Sequence, residues 1–199
     1  MKIGLLGGSF DPVHYGHLHM ARQARQEYGL DEVWLIPAGH SPNKDERHMT
    51  PAAARLAMCR LAVMGEEGMD VCPLEVESEE RSYTYRTLQK LTGQYPQHQF
   101  YFIMGADSLD YLEQWCHPEI IAQLSTILVV NRNQFSEGDL QEKVLQLSGL
   151  FPLDVQIVHC DKWNISSSEI RKALSQGRDI DDYVPQNVIF YIKENQLYR

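Results

Sequence analysis

The chain has 199 residues, of which 43% are hydrophobic and 23% are charged, as is ordinary for a folded globular protein. Its net charge of −9 argues against a general nucleic-acid-binding protein, which normally carries an excess of Lys and Arg. This charge does not argue against a small anionic ligand, because a few well-placed cations can dominate the field inside a pocket. The length predicts one domain over residues 1–199.

Cysteine spacing and hydropathy indicate the compartment. The four cysteines are far apart and form no CxxC pair, which favours free thiols in a reducing cytosol. The apolar run at the start is too short for a signal peptide, and no stretch approaches the ~20 apolar residues of a membrane span. We therefore expect a cytoplasmic protein without a membrane or nucleic-acid partner. The sequence contains no heptad or symmetric motif, so the oligomeric state stays open and a homo-oligomer is compatible with it.

Short apolar runs alternate with longer amphipathic stretches, which predicts strands separated by helices. The runs Val33–Ile36 and Ile127–Val130 lack polar alternation, as do strands buried on both faces of a parallel sheet. This order predicts an α/β fold with a Rossmann-like, open, mostly parallel sheet and helices on both faces. The predicted strands are Lys2–Gly7, Glu32–Pro37, Met69–Val76, Gln99–Gly105, Thr126–Asn131 and Asp154–Cys160.

Capping residues mark the ends of the predicted helices. One helix is predicted to begin at Thr50 and Pro51, and its expected inner face consists of Ala53, Ala57, Leu61 and Met64. Others are predicted from Ser136 to Gly149 and, with a capping box formed by Ser166 and Glu169, up to Gly177. A last helix is predicted after Pro185, so that a helical part from about residue 165 to residue 199 packs on the sheet.

The first informative segment follows the first predicted strand. It begins at Gly7 and reads Gly-Gly-Ser-Phe-Asp-Pro-Val-His-Tyr-Gly-His-Leu. The two glycines leave room for a ligand to approach the backbone at the end of the strand. His14 and His17 lie three residues apart and share one face of the first helical turn, and Gly16 leaves space between them. A helix N-terminus with two imidazoles is suited to binding phosphate.

Two other interpretations of these histidines are open at this point. The histidines can form a polar first turn without a ligand, or they can belong to a zinc site together with His19. On a helix, however, His19 points roughly away from the other two, and zinc requires three or four converging ligands. No metal ligand is therefore assigned.

The second informative segment follows the last predicted strand and reads Ile165-Ser-Ser-Ser-Glu-Ile-Arg171. The hydroxyls of Ser166, Ser167 and Ser168 can cap a helix or donate to a phosphate. Arg171 can add a charge-assisted contact one turn later, with each such bond contributing roughly 1.5–3 kcal/mol. Considered alone, the segment is more typical of a capped helix with a surface arginine than of a phosphate site.

Together, His14–His17 and Ile165–Arg171 match the paired signatures HxGH and ISSxxxR of the nucleotidyltransferase superfamily. Over nearly its whole length the chain also resembles the bacterial nicotinate-nucleotide adenylyltransferases. That resemblance is carried by the stretches Trp34–Pro37, Pro42–Lys44, Ser82–Leu88, Ile103–Leu109 with Trp115, Val129–Arg132, Tyr183–Pro185, Tyr191–Ile192 and Leu197–Tyr198. It implies transfer of AMP from ATP to nicotinate mononucleotide, which yields nicotinate adenine dinucleotide and pyrophosphate in NAD biosynthesis.

The resemblance also implies roles for individual residues. Catalytic contacts to phosphate are implied for His14, His17, Arg171 and Lys44. ATP binding is implied for Gly7, Gly8, Ser9, Phe10, Gly16, Gly105, Asp107, Arg132, Ile165, Ser166, Ser167 and Ser168. Binding of nicotinate mononucleotide is implied for Ser9, Lys44, Tyr83, Thr84, Trp115 and Cys116. Trp115 would stack on the nicotinate ring, and backbone N–H groups near Thr84 and Cys116 would receive its carboxylate.

The sequence departs from the family pattern at two places. Arg86 stands where the family often has an acidic residue, and the loop reads Ser41-Pro42-Asn43-Lys44 where Pro-Pro-His-Lys is common. Lysine is retained, so the predicted phosphate contact is kept.

The expected reaction needs no protein base. The attacking phosphate monoester has a second pKa near 6 and is largely deprotonated at pH 7. We expect catalysis by positioning and charge stabilisation, with Mg²⁺ bridging ATP oxygens. The alternatives are an adenylyltransferase for another phosphorylated acceptor and a non-catalytic nucleotide sensor with the same fold.

Overall fold

The computed structural model describes residues 1–41, 49–131, 135–161 and 165–199. Within these ranges the strands are β1 (Lys2–Gly8), β2 (Glu32–Pro37), β3 (Met69–Val71), β4 (Gln99–Gly105), β5 (Thr126–Asn131) and β6 (Val155–His159). The helices are α1 (Tyr15–Tyr28), α2 (Ala52–Val63), α3 (Thr84–Gln94), α4 (Ala106–Leu109), α5 (Pro118–Leu124), α6 (Glu137–Ser148), α7 (Ser167–Ser175) and α8 (Gln186–Glu194). A 3₁₀ turn spans Leu112–Gln114.

The strands form one sheet in the order β3-β2-β1-β4-β5-β6, and every pairing is parallel. β2 and β3 are added on one side of β1, and β4, β5 and β6 are added on its other side. A topological switch point therefore lies between β1 and β4. In such sheets a ligand binds outside the carboxyl ends of the strands at this point. Gly8 and Gly105 end the two strands there.

Alternation along the strands divides the core into two layers. Leu6, Ile103 and Val130 belong to the layer formed with α1, α2, α7 and α8. Leu5 and Val129 belong to the opposite layer, with α3, α4, α5 and α6. Helices therefore cover both faces, and the predicted α/β class and open parallel sheet are confirmed.

The ends of several elements follow the capping signals. Gly29 ends α1 in the left-handed region, with φ +58°. The hydroxyl of Ser136 accepts the Asp139 N–H at the start of α6, and the hydroxyl of Ser166 accepts the Glu169 N–H at the start of α7. No helix within the described ranges has both the length and the apolar character needed to cross a lipid bilayer.

Two local predictions were wrong. The third strand ends at Val71 instead of Val76, because Pro73 lacks an N–H and the chain then turns, with Glu77 N–H donating to Pro73 O. The other error concerns the helix now called α2, which begins one residue later than expected and presents a different face to the core. Its buried residues are Arg55, Leu56, Met58, Cys59 and Ala62, whereas Ala53 and Met64 are exposed. The buried arginine sets this rotation.

Candidate active site

The loop after β1 packs around an aromatic ring. Phe10 has a φ of +48° and is 1% exposed, and its side chain lies beneath the end of the strand. A Cβ at Gly8 would lie 3.1 Å from Phe10 Cζ, so the glycine makes room for this ring. The ring also meets the imidazole of His17 edge-on, with centroids 4.9 Å apart. Phe10 therefore supports the histidine from inside the loop.

The two histidines of the first motif are stacked at the start of α1. Their ring centroids lie 3.7 Å apart, and His14 is only 4% exposed. The His14 N–H donates to His17 Nδ1 at 3.3 Å. A neutral imidazole that accepts at Nδ1 carries its proton on Nε2, so this bond makes His17 Nε2 a donor. A donor in this position can stabilise negative charge on a phosphate.

Two of the first N–H groups of α1, where the sequence predicts a phosphate-binding helix start, are bonded within the chain. The Tyr15 N–H donates to Tyr183 O at 2.9 Å, and the His17 N–H donates to His14 O at 2.9 Å. Tertiary packing of the segment before α8 thus satisfies a donor that the sequence alone left available.

Gly16 is where the two motifs come into contact. A Cβ added at Gly16 would lie 2.9 Å from Ile165 Cγ2 and 3.0 Å from His14 Nδ1. Real Cβ atoms are almost never as close as the first of these distances. The glycine of the first motif is therefore required for the second motif to pack against it.

Side chains of α7, in the second motif, form hydrogen bonds to the loop that precedes the first motif. Ser167 Oγ donates to Pro12 O at 2.9 Å, and Arg171 Nη1 donates to Asp11 O at 2.7 Å. Arg171 Nη2 also donates to Ser168 Oγ at 3.3 Å. Among the described residues these contacts use two of the five N–H donors of the guanidinium. The hydroxyl of Ser166 caps α7 and donates to Glu169 Oε2 at 2.8 Å, so its role in phosphate binding stays a prediction.

The predicted adenosine residues lie across the switch point from the first loop. Gly105 ends β4 and precedes α4, and Asp107 lies in the first turn of that helix. The ring of Phe102 lies 3.6 Å from the position of a Cβ at Gly7. β1 and β4 thus lie side by side where the predicted phosphate loop and the predicted adenosine residues begin. Lys44 and Arg132 lie outside the described residues.

The predicted nicotinate residues lie around the start of α3 and the turn before α5. Tyr83 precedes the helix and Thr84 is its first residue. The rings of Tyr85 and His117 meet edge-on at 4.7 Å, which brings this helix start next to Cys116, an exposed residue. Arg86, one of the departures, donates to Tyr85 Oη and lies 3.8 Å from Glu80.

Trp115 connects the two halves of the site. Its ring meets the Phe102 ring edge-on at 6.0 Å, and Phe102 in turn lies beneath Gly7. Trp115 is partly buried against the core layer of α3 to α6. The Phe102 ring of β4 therefore lies near both Gly7, close to the end of β1, and the predicted stacking residue.

Sequence reasoning missed a buried arginine that joins three segments. Arg55 is 2% exposed, and its guanidinium donates to Ser9 O at 2.7 Å, Thr50 O at 2.9 Å and Gly39 O at 3.3 Å. These carbonyls belong to the first loop, the start of α2 and the end of β2. A charged residue within the Ala-rich helix was the available signal, because burial of such a group requires partners.

Sequence reasoning also missed a carboxylate beside the nicotinate half. Glu75 Oε1 accepts the Thr87 hydroxyl at 2.6 Å. Burial raises the pKa of Glu75, and the hydrogen bonds from Thr87 and Ser82 partly oppose this rise. Ser82 Oγ accepts the Gly39 N–H at 2.9 Å. This cluster ties the end of β2 to the turn that precedes α3.

A metal site of protein ligands alone is absent from the described part of the chain. No three His, Cys, Asp or Glu side chains within it are grouped so that they could hold an ion. The zinc alternative involving His19 thus has no supporting geometry.

Comparisons with known proteins identify the family of the chain. The family model described as cytidylyltransferase-like matches residues 5–173. A protein of Geobacillus thermodenitrificans named "Probable nicotinate-nucleotide adenylyltransferase" is 38% identical and is covered over 86% of its length, with 99% of this chain aligned. One of the same name from Clostridium botulinum is 32% identical, with 100% of this chain and 98% of the relative covered.

A solved structure shares the fold. The Plasmodium falciparum nicotinic acid mononucleotide adenylyltransferase complexed with NaAD superimposes with a TM-score of 0.79. It is 24% identical in sequence, and the match covers 99% of this chain and 97% of that one.

Proposed function

This chain belongs to the cytidylyltransferase-like family and, within it, to the nicotinate-nucleotide adenylyltransferases, and we propose from this premise that it joins the AMP part of ATP to nicotinate mononucleotide. The products are nicotinate adenine dinucleotide and pyrophosphate. The reaction makes the chain a nucleotidyltransferase of NAD biosynthesis. We also propose that residues 1–199 form one domain, because α7 and α8 share a core layer with α1 and α2.

The observation that carries the proposal is the direct contact between the two motifs. Segments about 150 residues apart in sequence meet through the bonds from Ser167 to Pro12 and from Arg171 to Asp11, and through the packing of Ile165 against Gly16. Two imidazoles and a guanidinium consequently lie around one loop at the switch point. This combination of donors suits a triphosphate whose charge shifts during reaction.

The chemistry is an in-line displacement at phosphorus. A phosphate oxygen of nicotinate mononucleotide forms a bond to the α-phosphorus of ATP, and the bond from that phosphorus to the bridging oxygen of the β-phosphate breaks. Pyrophosphate leaves with the electron pair. His17 Nε2 donates to an ATP phosphate oxygen, and Arg171 with Ser167 and Ser168 binds the departing pyrophosphate. His14 and Lys44 are each proposed to contact a phosphate group as well.

A divalent cation accompanies ATP in nucleotidyltransferases of this family, and Mg²⁺ is the ion we propose. The described residues fit an ion held largely by the nucleotide, since they contain no cluster of ligands that would hold it alone. Asp107 lies at the switch point as an oxygen donor that can contact the ribose or a hydrated ion. The cation supplies charge neutralisation on the phosphates.

The nicotinate half is proposed to recognise a ring and its carboxylate. Trp115 stacks on the ring, and backbone N–H groups near Thr84 and Cys116 receive the carboxylate. The support is the proximity of the two segments through the contact between Tyr85 and His117. A carboxylate that accepts backbone N–H bonds gains charge-assisted hydrogen bonds which an uncharged amide lacks.

The test measures pyrophosphate release from ATP and Mg²⁺ with three acceptors, namely nicotinate mononucleotide, nicotinamide mononucleotide and phosphopantetheine. We expect the highest kcat/KM with nicotinate mononucleotide, and nicotinate adenine dinucleotide should accumulate in equal amount with pyrophosphate. Preference for phosphopantetheine would overturn the acceptor assignment and leave the ATP half in place. ATP binding without pyrophosphate release from any acceptor would replace the enzyme with a nucleotide sensor.

A further inference from the structure

Asp11, in the loop between β1 and α1, is bound from three parts of the chain. The residue is 4% exposed. Its Oδ1 accepts the Tyr198 hydroxyl at 2.6 Å, and its Oδ2 accepts the Thr50 N–H at 3.4 Å. Its backbone carbonyl accepts Arg171 Nη1 at 2.7 Å. The side chain of Asp11 therefore binds the segment before α2 and the segment after α8, while its carbonyl binds Arg171.

The segment after α8 takes an unusual path to reach this loop. The Leu197 N–H donates to Ile192 O at 3.0 Å, which closes the end of the helix. Gln196 and Tyr198 have φ values of 55° and 62°, in the left-handed region that residues with a Cβ seldom adopt. Such a conformation persists where the surrounding contacts determine it. The Tyr198 ring packs against the core layer of α1, α7 and α8, so its hydroxyl has a fixed direction.

The chemistry of the pair favours a strong bond. Burial, followed by the hydrogen bond to Asp11, raises the pKa of Tyr198, so its hydroxyl stays protonated. A hydroxyl that donates to a carboxylate forms a charge-assisted bond, and 2.6 Å is a typical length for one. The bond also satisfies an acceptor that would otherwise be buried at a cost.

We propose that Tyr198 is a positioning residue for the reaction and acts through Asp11. Rotation of the Asp11 peptide would displace the carbonyl that holds Arg171, and it would shift the adjacent Pro12 carbonyl that holds Ser167. His14 follows in the same loop. Tyr198 thus fixes the loop against which both phosphate-binding motifs are aligned. The inference rests on the proposed function, because that function gives Arg171 and His14 their contacts to phosphate.

The experiment compares Tyr198→Phe with Tyr28→Phe as a matched control. Tyr28 is also partly buried against the same core layer, and its hydroxyl donates to Ile157 O at 2.8 Å, away from the loop. Each variant loses one hydroxyl: Tyr198→Phe loses its bonds to Asp11 and Thr50, and Tyr28→Phe loses its bond to Ile157 O. We expect kcat to fall about tenfold in Tyr198→Phe, since misplacement by a fraction of an ångström suffices, and to stay within about twofold in Tyr28→Phe. The KM for nicotinate mononucleotide should change little in either.

Hydrogen–deuterium exchange provides a readout that does not depend on turnover. Exchange in a peptide covering residues 9–18 should quicken in Tyr198→Phe and stay at the wild-type rate in Tyr28→Phe. Adding Tyr198→Phe to Asp11→Ala should cause no further acceleration, because the bond is already absent. If the wild type releases no pyrophosphate, the proposed function fails and the exchange result alone decides the role of Tyr198. Equal exchange and, in an active enzyme, equal kcat in the two Tyr variants would overturn the inference.

Discussion

The phosphate half and the nicotinate half of the site are held together by different contacts. In the phosphate half, side-chain hydrogen bonds join residues 155 to 187 positions apart in sequence, from Ser167 and Arg171 in α7 and from Tyr198 after α8. In the nicotinate half, ring contacts such as that between Tyr85 and His117 join segments about 30 residues apart, and Cys116 is exposed. The phosphate half is therefore held by long-range side-chain hydrogen bonds, whereas the nicotinate half is proposed to use backbone groups at a helix start.

The comparison explains why the two halves differ in their sequence signals. Charge on a phosphate is met by specific side chains, and those side chains appear as short motifs. A carboxylate met by backbone N–H groups leaves no requirement on residue type at the same positions. Side-chain substitutions should therefore affect the phosphate half more strongly than the nicotinate half.

The largest effect is expected at His17. Replacement by Ala removes the Nε2 donor, and kcat should fall by about 10²–10³-fold, as when an oxyanion donor is lost. His17→Asn retains an N–H donor on a shorter side chain, so its kcat should lie between those of His17→Ala and the wild type. Steady-state kinetics at saturating ATP measure both. A kcat within threefold of wild type in His17→Ala would remove this residue from the reaction and break the contrast between the halves.

The second-largest effect is expected in the nicotinate half, at Trp115. Trp115→Ala should raise the KM for nicotinate mononucleotide by about 10–100-fold, because aromatic stacking on a base contributes roughly 1–3 kcal/mol. The KM for ATP should change much less. Trp34→Ala is the control, since Trp34 is also partly buried and packs edge-on against Tyr95 at 5.6 Å. An equal rise in both KM values for Trp115→Ala would indicate a packing role only.

A smaller effect is expected where the two motifs touch. Gly16→Ala would place a Cβ 2.9 Å from Ile165 Cγ2, and such overpacking should lower the free energy of unfolding by about 1–3 kcal/mol. Gly93→Ala is the control, because no atom lies within 4 Å of that Cβ, and an alanine within α3 should stabilise by about 0.5–1 kcal/mol. Urea unfolding compares them. Equal stability of the two variants would show that the motifs can separate without cost.

The smallest effect concerns the pH dependence of stability near the nicotinate half. Burial raises the pKa of Glu75 above its ordinary value of 4.5. A raised folded pKa means that the stabilising contribution is complete below the unfolded pKa and is lost as pH rises through the folded pKa. Glu75→Gln should keep the bond from Thr87 and avoid this loss. The stability of the variant relative to wild type should therefore increase as pH rises from about 4.5.

Urea unfolding at several pH values measures this trend, and Glu77→Gln at an exposed position controls for removal of one negative charge. If the free energy of unfolding of Glu75→Gln relative to wild type decreases as pH rises, the assigned direction of the pKa change is contradicted. That result would also indicate that the folded protein stabilises the ionised form of Glu75. The nicotinate half would then contain a stabilising charged contact, as the phosphate half does.

Much of the fold could be predicted from local patterns. Five predicted strands agree with the structure to within one residue at each end, because uniformly apolar runs identify strands buried on both faces. The predicted family is confirmed by the relatives. The errors occurred where local patterns carry little information. An Ala-rich helix such as α2 does not define its own buried face, and the burial of Arg55 was missed.

Local patterns were sufficient to predict the succession of strands and helices, the helix caps and the two motifs with His14, His17 and Arg171. These features depend on short-range periodicity, capping and residue chemistry. Tertiary packing, in contrast, establishes that Arg171 binds the Asp11 carbonyl, that Tyr198 reaches the Asp11 carboxylate and that Arg55 binds three carbonyls. Each of these bonds connects segments whose separation in space is fixed by packing on the sheet. No local pattern encodes such a distance.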